Sequence, residues 1–212
     1  MSTQPSGSAP DLHLGHYSLR LMLSNLLAVI SQTTVLDGAD IALCARYFQP
    51  LALKKNTVVA AVGEVPHQLY FINSGYMRLY YADERGEEAT TYLGLPNDFL
   101  ASFLSFVHQQ PAAESLATIT ACDVLRIAHA DLLALIQASE AFQQFSLLIF
   151  EKAMGAAAQR ANSLATRSAE QRYQHLLVAR PDLALHVPVR HLASYLGITP
   201  ESLSRIRRQV VS

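Results

Sequence analysis

Near the end of the chain, Thr199-Pro-Glu-Ser-Leu-Ser-Arg-Ile-Arg-Arg208 places charged and hydroxylated side chains where they suit the chemistry of a DNA major groove. A guanidinium matches the two acceptors on the guanine edge, so Arg205 is the candidate for bidentate base reading. Glu201, one turn earlier, is the candidate acceptor for a cytosine amino group. Arg190, Ser204, Arg207 and Arg208 flank that centre and are assigned to phosphates, and Thr199 and Ser202 complete the candidate DNA-binding set. The plainer alternatives are a phosphate contact for Arg205 and a helix-start charge for Glu201.

These side chains need a helix held at a fixed angle to another. Thr199 suits an N-cap, Pro200 suits the first helical position, where no amide hydrogen is needed, and Glu201 puts negative charge at the positive end of the helix dipole. Leu203 and Ile206, three apart, face inward and leave Glu201, Ser202, Arg205, Arg208 and Gln209 outside. Upstream, His191-Leu-Ala-Ser-Tyr-Leu-Gly197 supplies the first helix. There Leu192 and Leu196 share a face, Ala193 is small enough for a close crossing, and Gly197 permits a left-handed turn. The pattern predicts a helix-turn-helix; an ordinary helical hairpin is the alternative.

Charge is distributed accordingly. The 212 residues carry a net charge of −1, yet residues 155–212 hold eight Arg against three acids, leaving a net acidic remainder. The basic part is the part with the DNA motif. An apolar content of 50% is globular. Cys44 and Cys122 lack the spacing of a cluster or a disulfide framework, so an intracellular, cytoplasmic home is expected. No stretch approaches the ~20 apolar residues of a membrane span. The Ser/Pro/Gly-rich opening lacks the regions of a signal peptide, and Met1–Asp11 is expected to be unstructured. His67 and His108 are too isolated for a metal site, and no cofactor is expected.

Residues 16–48 read as two short helices, the first with Leu19, Met22, Leu23, Leu26, Leu27 and Ile30 at helical spacing, the second starting after Asp37. From Pro50 to Ala128 short strands follow at Thr57–Ala61, Gln68–Asn73, Tyr76–Ala82, Ala89–Leu95, Glu114–Thr120 and Asp123–Ala128. Asn73-Ser-Gly75 and Asp83-Glu-Arg-Gly86 supply turns. This spacing predicts an antiparallel barrel or jelly roll, and an α+β chain overall. Asp131–Ala138 is one short helix, and Ser139 to about Thr166 a long one. At roughly 42 Å the long helix exceeds what a small barrel covers, so a second copy is its expected partner. Phe142, Phe145, Leu148, Ile149 and Leu164 are the candidate dimerisation residues; packing wholly on its own barrel is the alternative.

Leu69-Tyr-Phe-Ile-Asn-Ser-Gly-Tyr-Met-Arg-Leu-Tyr80, Asn97-Asp-Phe-Leu100, Ser168-Ala-Glu-Gln-Arg-Tyr173 and the tail above resemble, over nearly the whole chain, the cyclic-AMP receptor/FNR (Crp/Fnr) family of bacterial transcription regulators. The resemblance is closest to short members without a C-terminal wing, since only Val210, Val211 and Ser212 follow Gln209. It implies a cyclic-nucleotide-binding-type jelly roll with N-terminal helices over residues 12–138, a dimerisation helix over 139–166 and a helix-turn-helix domain over 167–212. Double-stranded DNA, a second copy, a small-molecule effector and RNA polymerase are the implied partners, with no membrane.

Relatives that bind cyclic AMP carry a Gly-Glu-Leu whose Glu holds the ribose, and ten residues later an Arg that pairs with the phosphate. Here Ala101, Ser102 and Phe103 stand at the first motif, and Ala112 and Ala113 at the second. A phosphate without its guanidinium loses a bidentate charged pair, so this degenerate cassette implies an effector other than cyclic AMP, or none. Two alternatives remain open. One is a cupin-like small-molecule enzyme, for which the chain lacks a metal triad, a nucleophile with its base and a phosphate loop. The other is a dimeric sensor that no longer binds DNA.

Overall fold

The computed structural model describes residues 11–210 except Arg85, with side chains from Leu19 to Gln209. Of the segment expected to be unstructured, only Asp11 is described, and it opens a helix.

Helices α1 (Asp11–Ile30) and α2 (Gly38–Tyr47) come first. Met22, Leu26 and Ile30, spaced four apart, form the buried stripe of α1. Asp37 starts α2 through a capping box: its carboxylate accepts from the Ala39 and Asp40 amides at 2.8 and 2.9 Å, and the Asp40 carboxylate accepts from the Asp37 amide at 3.0 Å.

Two four-stranded antiparallel sheets form the jelly roll. One runs β1 (Gln49–Leu53), β8 (Cys122–Ala128), β3 (Gln68–Ser74), β6 (Phe99–Leu100); the other runs β2 (Val58–Ala60), β7 (Ser115–Thr118), β4 (Met77–Ala82), β5 (Glu88–Gly94). Six of these strands coincide with the segments legible in the sequence. The structure adds β1, β6 and the short helix α3 (Phe103–His108). β1 tolerates Pro50 because it lies at a sheet edge, and β6 has two residues, too few to show a period.

Residues Leu69–Ile72 of β3 are all buried because the strand feeds two cores. Leu69 and Phe71 pack with Leu26, Phe106, Leu135 and Phe142 on the helical side, whereas Tyr70 and Ile72 join Met77, Leu116 and Val124 inside the roll. Gly75 turns β3 into β4 with φ of +87°. Any Cβ there would collide with the Ala121 carbonyl oxygen, so this turn needs glycine twice over.

Helices α4 (His129–Ala138), α5 (Glu140–Thr166), α6 (Ala169–Ala179), α7 (Pro181–His186), α8 (Val189–Leu196) and α9 (Pro200–Val210) complete the chain. Ser139 caps α5, accepting from the Phe142 amide at 3.3 Å while donating to Asp40 at 2.5 Å, which ties the start of α5 to α2. At 27 residues, α5 is about 40 Å long.

The dimerisation residues expected from the sequence divide on α5. Phe142 and Phe145 are 3% and 7% exposed in the core of their own chain, and Ile149 packs against the same cluster. These three are therefore committed to the jelly roll, a correction to the expected stripe. Leu148 is partly exposed, and the Leu164 side chain covers Gly197 in the C-terminal helices. Away from Phe142 and Phe145, Leu147, Phe150, Ala161 and Ala165 stay unburied on α5, while Met154 and Ala157 between them border a space beside the jelly roll.

Candidate nucleic-acid interface and effector cavity

Helices α8 and α9 form the helix-turn-helix. Gly197 ends α8 in the left-handed region at φ of +68°, and a Cβ there would meet the end of the Leu164 side chain at 2.9 Å. The Thr199 hydroxyl accepts from the Ser202 amide at 3.3 Å at the start of α9. Leu192, Ala193, Leu196, Leu203 and Ile206 are buried between the helices with Tyr173, Leu176 and Leu183 of α6 and α7.

The outer face of α9 exposes Glu201, Ser204, Arg205, Arg208 and Gln209, with Ser202 half-buried. The Ser204 hydroxyl donates to the Pro200 carbonyl at 2.9 Å, and Arg208 Nε donates to the Ser204 carbonyl at 3.4 Å. Hydrogen bonds from its own amide and from the Thr199 hydroxyl hold the Glu201 carboxyl below its ordinary range, which favours the helix-start role. Arg207, expected on a phosphate, turns inward: it donates to the Ala184 carbonyl at 3.3 Å and stands over the Tyr173 ring. At three residues from Ser204 and one from Ile206 it sits on the shoulder of the buried face, where its long stem reaches α7. Arg190 is exposed at the start of α8 and gives its Nε–H to His191 at 3.1 Å.

The C-terminal helices are seated on the jelly roll. β5 is an edge strand, and α8 covers its open edge: the Thr90 amide donates to Ser194 Oγ, which donates to the Glu88 carbonyl, each at 2.8 Å. Arg160 of α5 donates to the Thr90 carbonyl at 2.8 Å and to the Tyr195 carbonyl at 3.4 Å. Asp98 binds Arg180, between α6 and α7, at 2.9 Å and Lys152 of α5 at 3.4 Å. The Leu95 amide at 3.1 Å and the Tyr92 hydroxyl at 3.3 Å also donate to it. Burial, then the Asp98 charge, pushes the Tyr92 hydroxyl up to about 12, so it remains a donor. Asp98, Lys152, Arg160, Arg180 and Ser194 were missed as site residues. Asp98 and Arg180 are 82 residues apart, and no local spacing signals such a pair.

His191 is 4% exposed in this contact. Burial first, then the cations of Arg78 and Arg190, pushes its pKa down to about 4, with Glu88 opposing. The unfolded chain therefore binds more protons than the native state between pH 6.5 and 4, and stability falls as the pH is lowered through that window. The contribution is about 3 kcal/mol at most. Urea unfolding across this range should show the slope in the native sequence and a flatter one in His191→Asn; equal slopes would place the acid sensitivity elsewhere.

The degenerate cassette borders a cavity of about 360 Å³ between the roll and α5, with Ala101, Ser102 and Ala113 on its wall. Ala112 is buried, its backbone bonded to Gly63 and Glu64. His67 bonds Gln109 at 3.0 Å. Cys44 and Cys122 are buried free thiols. Among the described residues no group of three His, Cys, Asp or Glu is placed to share a metal ion, and no helix is long and apolar enough to cross a membrane.

Residues 50–139 match the family model of the cyclic nucleotide-binding domain. Among solved structures, FixK2 of Bradyrhizobium japonicum aligns with a TM-score of 0.70 at 17% identity, over 77% of this chain and 84% of FixK2. A protein of Eubacterium rectale described as of the crp/fnr family of transcriptional regulators aligns with a TM-score of 0.62 at 16% identity, over 82% of this chain and 83% of its own. An uncharacterized Haemophilus influenzae protein is 31% identical over 75 residues, which are 35% of this chain; the match spans 57% of that relative's length. Residues 50–139 thus resemble a cyclic nucleotide-binding domain, and the chain as a whole shares its fold with these solved structures.

Proposed function

We propose that this protein is a dimeric, sequence-specific DNA-binding transcription regulator, acting in the cytoplasm, whose jelly roll senses an effector other than cyclic AMP, or none. The observation that carries the reading is the two-sidedness of α9. Leu203 and Ile206 anchor it at 0% and 7% exposure, while Arg205 and Arg208 stand outward, exposed among the described residues. Two copies joined along α5 would present two such helices, and a near-palindromic site with half-sites about one DNA turn, roughly 34 Å, apart.

Base and phosphate contacts leave different signatures. Arg205→Ala should cost about 1–3 kcal/mol on the preferred site and relax the preference at one base pair, leaving non-specific binding nearly intact. Arg208→Ala should weaken all duplexes alike and make the salt dependence shallower by about one unit. Binding-site selection from random duplexes followed by salt titration measures both. Equal losses on specific and random DNA would make Arg205 purely electrostatic, and no loss from either would remove this face from DNA binding and leave the non-DNA-binding sensor as the reading.

A further inference from the structure

The cavity beside the cassette is lined chiefly by hydrocarbon: Leu79, Leu100 and Phe103 from the roll, Ile149 and Met154 from α5. Its volume of about 360 Å³ suits a compact small molecule. Three ionic groups border it, Glu114, Asp98 and Lys152. Lys152 is bonded to Asp98 and 66% exposed to water. Arg160 is close enough for Glu114 to influence it, but it borders a different groove and spends its terminal nitrogen on the Thr90 and Tyr195 carbonyls. Asp98 is compensated by Lys152 and Arg180, so among the described residues Glu114 is the lining charge left without an ion pair, and the wall holds no uncommitted cation, the reverse of what a buried phosphate or sulfonate needs. Glu114 is held in place at the mouth by the Thr91 hydroxyl, which donates to its Oε2 at 2.5 Å. Its other oxygen remains available to accept.

We propose that this cavity binds a compact apolar molecule carrying an amine or another single N–H donor, with that donor on Glu114, and that it rejects anions. The proposal rests on reading the jelly roll as the sensing half of a regulator and names the chemistry it senses. The cavity suits that role because Lys152 and Asp98 on its wall lead directly to Arg180 of the C-terminal helices.

Two fluorescent probes with one aromatic body separate the charge requirement from apolarity: N-phenyl-1-naphthylamine, which is neutral, and 1-anilinonaphthalene-8-sulfonate, its anionic counterpart. Titrated into the full chain, the neutral probe should saturate at one per protomer and the sulfonate should bind at least about tenfold more weakly. Glu114→Gln should narrow that gap. Ala113→Trp, at an exposed position on the mouth, should abolish saturable binding, and Ala153→Leu on α5 provides a second obstruction, each checked for native circular dichroism. Cyclic AMP should not displace the neutral probe. Equal affinity for the two probes, absence of saturable binding, binding unchanged in both obstructed variants, or displacement by cyclic AMP would each overturn the proposal. Duplex binding by the same preparation keeps the two readings apart. A chain that shifts DNA but binds no probe overturns the ligand proposal alone, and one that binds the neutral probe but no DNA supports the ligand proposal and overturns the regulator reading.

Discussion

Leu147→Glu should convert the protein to monomers in sedimentation velocity while leaving each protomer folded. Leu147 opens the unburied stripe Leu147, Phe150, Ala161 and Ala165, turned away from the face that carries Phe142 and Phe145 into the core and clear of the cavity wall. Leu147 is 68% exposed, an unusual position for leucine on a helix already packed along its other side. Ala161 and Ala165 let two helices approach closely. In a two-fold interface the same residue recurs on both sides, so one substitution brings two carboxylates together in an apolar seam. Loss of the second half-site should lower affinity for a palindromic duplex by about 10²–10⁴. Phe145→Ala should behave differently, costing about 3–5 kcal/mol of stability within each protomer. A Leu147→Glu protein that still sediments as a dimer would move the interface off this stripe.

Asp98→Ala should loosen the C-terminal helices from the jelly roll. The Asp98 side chain is 9% exposed, and its loss strands Arg180, itself only 23% exposed. Removing one partner of a buried pair costs ~3–5 kcal/mol, and the low end applies because Lys152 is mostly in water. Urea unfolding should register this loss, and amide exchange should quicken across α6–α9 more than across β3 and β8. Asp98→Asn, which retains an acceptor for the Leu95 amide, should fall between the two. Unchanged exchange in the C-terminal helices would show that Ser194 and the apolar contacts hold them without the ion pair.

Local patterns in the chain were sufficient for its local structure. Ser139, Asp37 and Gly197 mark helix ends through their own side chains or lack of one, and each is found at its cap. Short runs between turn residues placed six strands, and β3, buried on both faces, is a continuous apolar run rather than an alternating one. The inward Leu203 and Ile206, and with them the outward Arg205, followed from helical periodicity alone. That Ala112 stands where relatives that bind cyclic AMP carry an arginine came from the family resemblance together with counting residues.

Tertiary structure decided whatever depends on which face meets which neighbour. An apolar residue on a long helix carries no label saying whether it faces its own barrel or a second copy. Phe142, Phe145 and Ile149 therefore read as a dimer seam until the helical core claimed them. Arg207 and Arg208 are adjacent and chemically identical, yet only the first lies within reach of the Ala184 carbonyl on a neighbouring helix. The Asp98–Arg180 pair and the Ser194 bridge to β5 join residues more than 80 positions apart. Such contacts exist only after the chain has closed, because their strength comes from exclusion of water and fixed geometry, which no spacing along the sequence encodes.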